Sequence, residues 1–274
     1  MTLPTFVGIG VARGGTTWLH TLLSGHPDVY MPTRRKEVRF FDRNHERGLD
    51  WYESFFCPTA EADRFVAIGE ISPQYFYCEE CPERIAAELP AAKLLVMLRH
   101  PVDRAYSHYG FVVQRRNFRG SFEEFLARRP VMLDKGYYSR YLDRYLERFA
   151  RDRILALVFE RAVRDDATAR RALAEFLDLS VDGFPSTLGR VNPSTVPKFG
   201  SLSNLAVSAG RRLRRTPLEP IVDLGARLGV RAAVTRGKAL PRLDTELRTR
   251  LSQRYQEEFG ELEHRFGIDV SCWT

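Results

Sequence analysis

The sequence predicts an α/β fold, a central parallel β-sheet flanked by helices. Three observations predict it. Apolar runs at 5–10, 64–70, 93–98 and 153–160 alternate with stretches of helical periodicity. The runs KLLVML and RILALVFE are nearly continuous in apolar residues, as strands covered on both faces are. A glycine-rich turn, ARGG at 12–15, joins the first run directly to the first helical pattern.

The elements follow in order. TFVGIG (5–10) is a short strand after Pro4, and TTWLHTLLSG (16–25) is a helix with Leu19, Leu22 and Leu23 on one side and Gly25 as its stop. Residues 26–64 read as irregular, with scattered aromatics. RFVAIGE (64–70) is the second strand, and PERIAAEL (82–89) is a helix with proline in its first turn. KLLVML (93–98) is a buried strand, and PVDRAYSHYGFVVQ (101–114) starts a helix directly after it. SFEEFLARR (121–129) opens on a capping box, Ser121 with Glu124. GYYSRYLDRYLERFA (136–150) is an amphipathic helix, RILALVFE (153–160) a strand and DDATARRALAEFLDL (165–179) a helix. Residues 243–267 form a long helix or helix pair. One domain over 1–274 is expected, with 190–241 as an acceptor-side or lid segment.

With 274 residues, 44% hydrophobic and 28% charged, the chain has enough apolar surface for one large core, which excludes wholesale disorder. Its net charge is +7 and its pI about 9.4. Only five of the 42 basic residues are lysine, so arginine dominates, and arginine binds planar and tetrahedral anions bidentately. The charge implies an anionic partner: nucleic acid, membrane, nucleotide or acidic sugar. Cys57, Cys78, Cys81 and Cys272 are too few for a disulfide scaffold. The first residues show no signal-peptide pattern and no window reads as a membrane span, so a soluble cytoplasmic protein is expected.

The turn Gly10-Val-Ala-Arg-Gly-Gly15-Thr16-Thr17 has the glycine spacing of a phosphate-binding P-loop, with Thr16 where a nucleoside triphosphatase has lysine. Its backbone N–H groups and two hydroxyls can still wrap an anion at a helix N-terminus. Strand 93–98 ends in Arg99, where magnesium chemistry would want an aspartate, and Ser107 follows two helical turns later. The pattern describes a P-loop-like nucleotide core with two anion pockets and no evident metal. Each pocket lies at the carboxyl end of a strand, where parallel sheets bind ligands. An ordinary strand–helix turn and an ion-paired surface arginine are the bland alternatives for each pocket alone.

These residues carry a resemblance. GVARGGTTWLHTLLSGHPDV (10–29), KEVRFFD (36–42), GLDWY (48–52), GEISPQYF (69–76), LLVMLRHPVDRAYSHY (94–109) and GYYSRYLDRYLERF (136–149) are similar to the sulfotransferases that use 3′-phosphoadenosine 5′-phosphosulfate (PAPS). The likeness is to the heparan-sulfate N- and O-sulfotransferase type and its bacterial relatives; the segment 190–241 matches poorly. The resemblance implies that Arg13, Gly14, Gly15, Thr16, Thr17 and Trp18 hold the 5′-phosphosulfate. It implies that Arg99 and Ser107 hold the 3′-phosphate, that Tyr138 packs near adenine, and that Lys198 folds over the nucleotide. Glu37 is implied as the base that deprotonates the acceptor hydroxyl or amine, with Arg13 countering charge on the leaving phosphate oxygen. The product is adenosine 3′,5′-bisphosphate (PAP). The acceptor is a carbohydrate or small molecule, with no nucleic acid and no metal.

Two departures from the family pattern stand out. The glycine turn carries Arg13 instead of lysine, and Glu70-Ile71-Ser72-Pro73 lacks the lysine that serves the acceptor. His20 and His108 are the runner-up bases. Cys78-x-x-Cys81 reads as two thiols near a helix start, because a zinc site needs a second pair. Arg211, Arg212, Arg214 and Arg215 read as a solvated face, or as a contact for an acidic acceptor or a membrane surface. The alternative function is a nucleotide-dependent small-molecule kinase on the same core, opposed by Thr16 and by Arg99. A third is a polyanion-binding module without catalysis.

Overall fold

The computed structural model describes residues 2–116, 118–186, 195–197, 237–239 and 241–274. Strand β1 (Phe6–Gly10) lies in the middle of a five-stranded parallel sheet. β3 (Ala67–Ile71) and β4 (Lys93–Leu98) flank it, and β2 (Val29–Tyr30) and β5 (Ile154–Val158) form the edges, giving the order β2-β3-β1-β4-β5. The chain runs to one side of β1 first and then crosses to the other. The crossovers therefore part at the carboxyl ends of β1 and β4, where a crevice opens.

The continuous apolar runs have a direct cause. Val7, Ile9, Leu94, Val96 and Leu98 face one layer of core, while Phe6, Leu95 and Met97 face a second. Helix α1 (Thr16–Ser24) and helix α10 (Asp166–Leu177) cover the second face through Leu19, Leu22, Leu23, Leu173 and Leu177. Successive strand residues point to opposite faces, so both must be apolar.

The other predicted helices are present. Helix α4 (Cys81–Glu88) has Pro82 in its first turn, and α5 (Pro101–Arg116) follows β4. Helix α6 (Phe122–Arg128) carries the predicted capping box: Glu124 N–H donates to Ser121 Oγ, and Ser121 N–H donates to the Glu124 carboxylate, both at 3.1 Å. Helix α8 (Ser139–Leu146) is shorter than its pattern. Helix α9 (Phe159–Arg164) leads into α10, which Asp165 caps. The terminal segment is a pair, α11 (Thr245–Ser252) and α12 (Gln256–His264), joined by a 3-10 turn.

Residues 26–64 are more ordered than their sequence suggests. They hold β2, α2 (Leu49–Glu53), α3 (Thr59–Ala62) and a π-turn at Phe40–Asn44. These pieces are too short to show a period. Their aromatics make the order: Phe40 and Tyr52 stack at 4.4 Å between centroids, and both are buried with Phe41, Phe55 and Phe56. A short helix α7 (Val131–Asp134) was equally unsignalled. Within 190–241, the described strands β6 (Thr195–Pro197) and β7 (Gly237–Ala239) pair antiparallel, and β6 lies beside α5.

Candidate active site

The glycine turn is pressed against the end of β4. Val11 N–H donates to Met97 O at 3.0 Å, and a Cβ on Gly14 would stand 2.4 Å from that same carbonyl oxygen. Gly15 has a φ of 102°, and a Cβ there would strike the Phe159 ring. Only glycine fits either place. Gly15 is also the N-cap of α1 and supplies no side-chain oxygen, so no side chain caps the amides of Thr16 and Thr17.

The two predicted anion pockets touch. Arg13 Nε donates to Ser107 Oγ at 3.1 Å, and an Arg99 Nη donates to Arg13 O at 3.3 Å. The Arg13 guanidinium lies over Phe111, and that of Arg99 lies over Phe159. Burial, and then the charges of Arg99 and Arg115, push the Arg13 guanidinium below its ordinary range. Glu160 stands 4.0 Å from Arg99, where it also accepts from His100 N–H and from Trp273 Nε1. Trp273 thus braces Glu160 beside Arg99.

Several predicted residues take other places. Arg13 points toward Ser107, at the pocket expected for the 3′-phosphate. The cation on the glycine turn is Lys36, whose Nζ donates to Thr17 Oγ1 at 2.7 Å. Tyr138 is 0% exposed and donates its hydroxyl to Arg99 O at 2.7 Å. Its ring offers no face to adenine and instead fixes the end of β4. Trp18 packs its side chain into the core, and its backbone N–H donates to Gly15 O at 2.8 Å. Thr16 is buried at the first position of α1. Lys198 and the cluster Arg211, Arg212, Arg214 and Arg215 lie outside the described residues.

Glu37 is half-buried on the loop between β2 and the π-turn, between the charges of Lys36 and Arg39. The three amides after it are held in sequence. Val38 N–H donates to Glu70 Oε2 at 3.3 Å, Arg39 N–H to Ser72 Oγ at 3.0 Å, and Phe40 N–H to Tyr75 Oη at 2.8 Å. Ser72 and Tyr75 donate in turn to the Glu70 carboxylate, each at 2.6 Å, and Tyr52 donates at 3.2 Å. Glu70 is wholly buried, and burial raises its carboxyl although these four donors oppose the shift. Arg39 sits in the left-handed region at φ 60° and forks onto Asp42. The motif Glu-Ile-Ser-Pro is therefore a clamp on the Glu37 loop. Its signal was in the sequence as part of the resemblance, but its partner was not.

Ile71 packs in the core against Gly8. His20 and His108 are both pushed down to about 4, by burial first, and then by Lys36 for His20 and by Arg104 and Arg13 for His108. Both imidazoles are neutral at neutral pH. Cys78 and Cys81 are free thiols at the start of α4. Among the described residues no cluster of His, Cys, Asp and Glu has a metal-holding arrangement, and no helix is long and apolar enough to cross a membrane.

Comparison with known proteins identifies the family. The Sulfotransferase domain profile matches residues 4–261. The human bifunctional heparan sulfate N-deacetylase/N-sulfotransferase 3 is 28% identical over 99% of this chain and 31% of its own length. The mouse heparan sulfate glucosamine 3-O-sulfotransferase 3A1 is 36% identical over 65% of this chain and 46% of its own. The chain thus spans about a third and about a half, respectively, of the length of these two relatives. A sulfotransferase from Alicyclobacillus acidocaldarius shares the fold with a TM-score of 0.71 at 24% identity, covering 100% of this chain and 99% of that one. The glycine turn, the Arg99–Ser107 pair and the profile match over 4–261 together place this chain in the sulfotransferase domain family.

Proposed function

We propose that the chain transfers the sulfuryl group of PAPS to a hydroxyl or amine of a carbohydrate or small-molecule acceptor. One observation carries the proposal. Two cationic pockets, the glycine turn and the Arg99–Ser107 corner, are joined by the Arg13–Ser107 hydrogen bond and open beside the Glu37 loop. A ligand with two separated anionic groups satisfies both pockets at once, and PAPS has that form.

Arg99, Ser107 and Arg13 hold the 3′-phosphate. The amides of α1 and the Thr16 and Thr17 hydroxyls hold the 5′-phosphosulfate. The acceptor lone pair forms a bond to sulfur while the bond from sulfur to the 5′-phosphate oxygen breaks. That electron pair leaves with PAP, and the acceptor proton passes to the Glu37 carboxylate. The charge is carried by guanidinium and ammonium groups, so the step as proposed needs no metal. Glu37 is favoured over His20 and His108 because its loop is clamped at the crevice mouth. The proposed domain spans 1–274, with 190–241 as an acceptor-side or lid segment. Of that segment, the described strand β6 lies beside α5, the helix that carries Ser107. A cytoplasmic setting is consistent with four free cysteines.

The test is a thermal-shift comparison. PAP without magnesium should raise the melting temperature. Stabilisation by ATP with magnesium in its place would overturn the proposal in favour of a kinase, and retained PAP binding without transfer to any acceptor would favour a binding module.

A further inference from the structure

The geometry points to Lys36 as the residue that supplies positive charge to the transferring sulfuryl group, at the glycine turn where the resemblance places Arg13. This inference rests on the PAPS-dependent function proposed above. Four observations carry it.

First, the Lys36 ammonium is on the glycine turn. Its Nζ stands 2.7 Å from Thr17 Oγ1, in the first turn of α1, where the 5′-phosphosulfate would bind. Second, the Arg13 side chain is committed elsewhere, with its Nε on Ser107 and its guanidinium over Phe111. Third, β3 brings no cation to the site, because Ile71 occupies that position and is buried against Gly8. Fourth, Lys36 is held by its backbone neighbours. The amides of Val38, Arg39 and Phe40 are fixed to Glu70, Ser72 and Tyr75, so the loop that presents the base also presents the ammonium.

The electrostatics agree with that geometry. Burial lowers the Lys36 ammonium below its ordinary value, with Glu37 opposing the shift and Arg13 adding to it. A partly desolvated ammonium gains most from an incoming anion. The nearby His20 imidazole is pushed down to about 4 and brings no charge to compete for that anion. In the transfer step, Lys36 pairs with the oxygens of the sulfonate as the sulfur–oxygen bond breaks. Arg13 instead pairs with the 3′-phosphate, which both donor and product keep. Lysine suits the first place because its ammonium is a compact point charge, and arginine suits the second because its fork matches a phosphate.

The two ligands separate the roles without knowledge of the acceptor. Calorimetry on the full chain would compare PAPS, which carries the sulfonate, with PAP, which lacks it. Lys36→Met should weaken PAPS by about 10- to 100-fold and PAP by less than about threefold, since only a charged hydrogen bond to the sulfonate is lost. Arg13→Met should weaken both ligands alike, and Lys36→Arg should recover most of the PAPS affinity. Release of labelled sulfate from PAPS to water should fall by about 100-fold or more in Lys36→Met. Equal loss of PAP and PAPS in Lys36→Met, or an unchanged rate, overturns the role of Lys36 while leaving the sulfotransferase proposal standing. If the parent chain binds neither PAPS nor PAP, the proposed function itself has failed.

Discussion

Arg13 Nε donates to Ser107 Oγ at 3.1 Å, across 94 residues of sequence, and ties the turn after β1 to the helix after β4. Two segments that look independent in the sequence are thus joined through Arg13. The proposed function has one ligand meet both segments with an anion at each end. Ser107→Ala should therefore weaken PAP by about 10-fold, the worth of a hydrogen bond to a charged group. Adenosine 5′-phosphate, which lacks the 3′ group, should bind the variant and the parent alike. Calorimetry with the two nucleotides checks this, and equal loss for both would place the 3′-phosphate elsewhere.

Glu37 is exposed enough to meet an acceptor, and its loop is clamped at the crevice. Glu37→Gln removes the base while keeping shape. PAP affinity should stay within about twofold, and transfer should fall by about 100- to 10,000-fold. Steady-state transfer of labelled sulfate alongside calorimetry is the measurement, and a variant that turns over like the parent would mean that another group takes the proton.

Gly14 leaves no room for a side chain, since its Cβ would stand 2.4 Å from the Met97 carbonyl oxygen. Gly14→Ala should displace the turn from β4 and cost PAP binding more than stability. Expected results are a loss of the PAP-induced thermal shift with circular dichroism unchanged.

Glu70 holds the loop of Glu37 and is itself wholly buried. If it acts through Glu37, Glu70→Gln should lower transfer about 10-fold in the parent background and scarcely at all in Glu37→Gln. Additive losses in this double-mutant cycle would show a general structural role instead. Burial raises the Glu70 carboxyl above its unfolded value of 4.5, so the folded state binds the extra proton. The contribution of Glu70 to stability is then fully present below 4.5 and declines as pH rises through the folded value. The advantage of the parent over Glu70→Gln in melting temperature should shrink over that window.

His100 is buried and pushed down from 6.5 to about 4, mainly by burial, with Asp103 opposing the shift. Here the unfolded chain binds the extra proton. Its stabilising contribution is present above 6.5 and is lost as pH falls toward 4. Thermal melts across that window should show falling stability, with His20 and His108 adding to the slope because they shift the same way. The variant His100→Asn should flatten the profile. An unchanged slope would place the acid sensitivity in other groups.

Much of the molecule was legible because the relevant signals are local. Apolar runs name the strands, the Gly14–Gly15 turn names the crevice, and Ser121 with Glu124 names a cap, since each depends on residues within one element. The segment 26–64 was less legible. Its short elements have no period, and they owe their order to aromatic packing against the sheet.

The opposing assignments of Arg13 and Lys36 mark the limit most clearly. The sequence by itself determined the parallel sheet, the phosphate-type turn and the presence of Arg99, Ser107 and Glu37. Only the tertiary structure decided which cation meets which pocket. Arg13 reaches Ser107, Lys36 reaches Thr17, and Tyr138 turns inward to Arg99 O. The physical reason is that a long side chain's direction depends on contacts distant in sequence. Residue spacing fixes where a side chain starts, and the packing of the folded chain fixes where its charge ends.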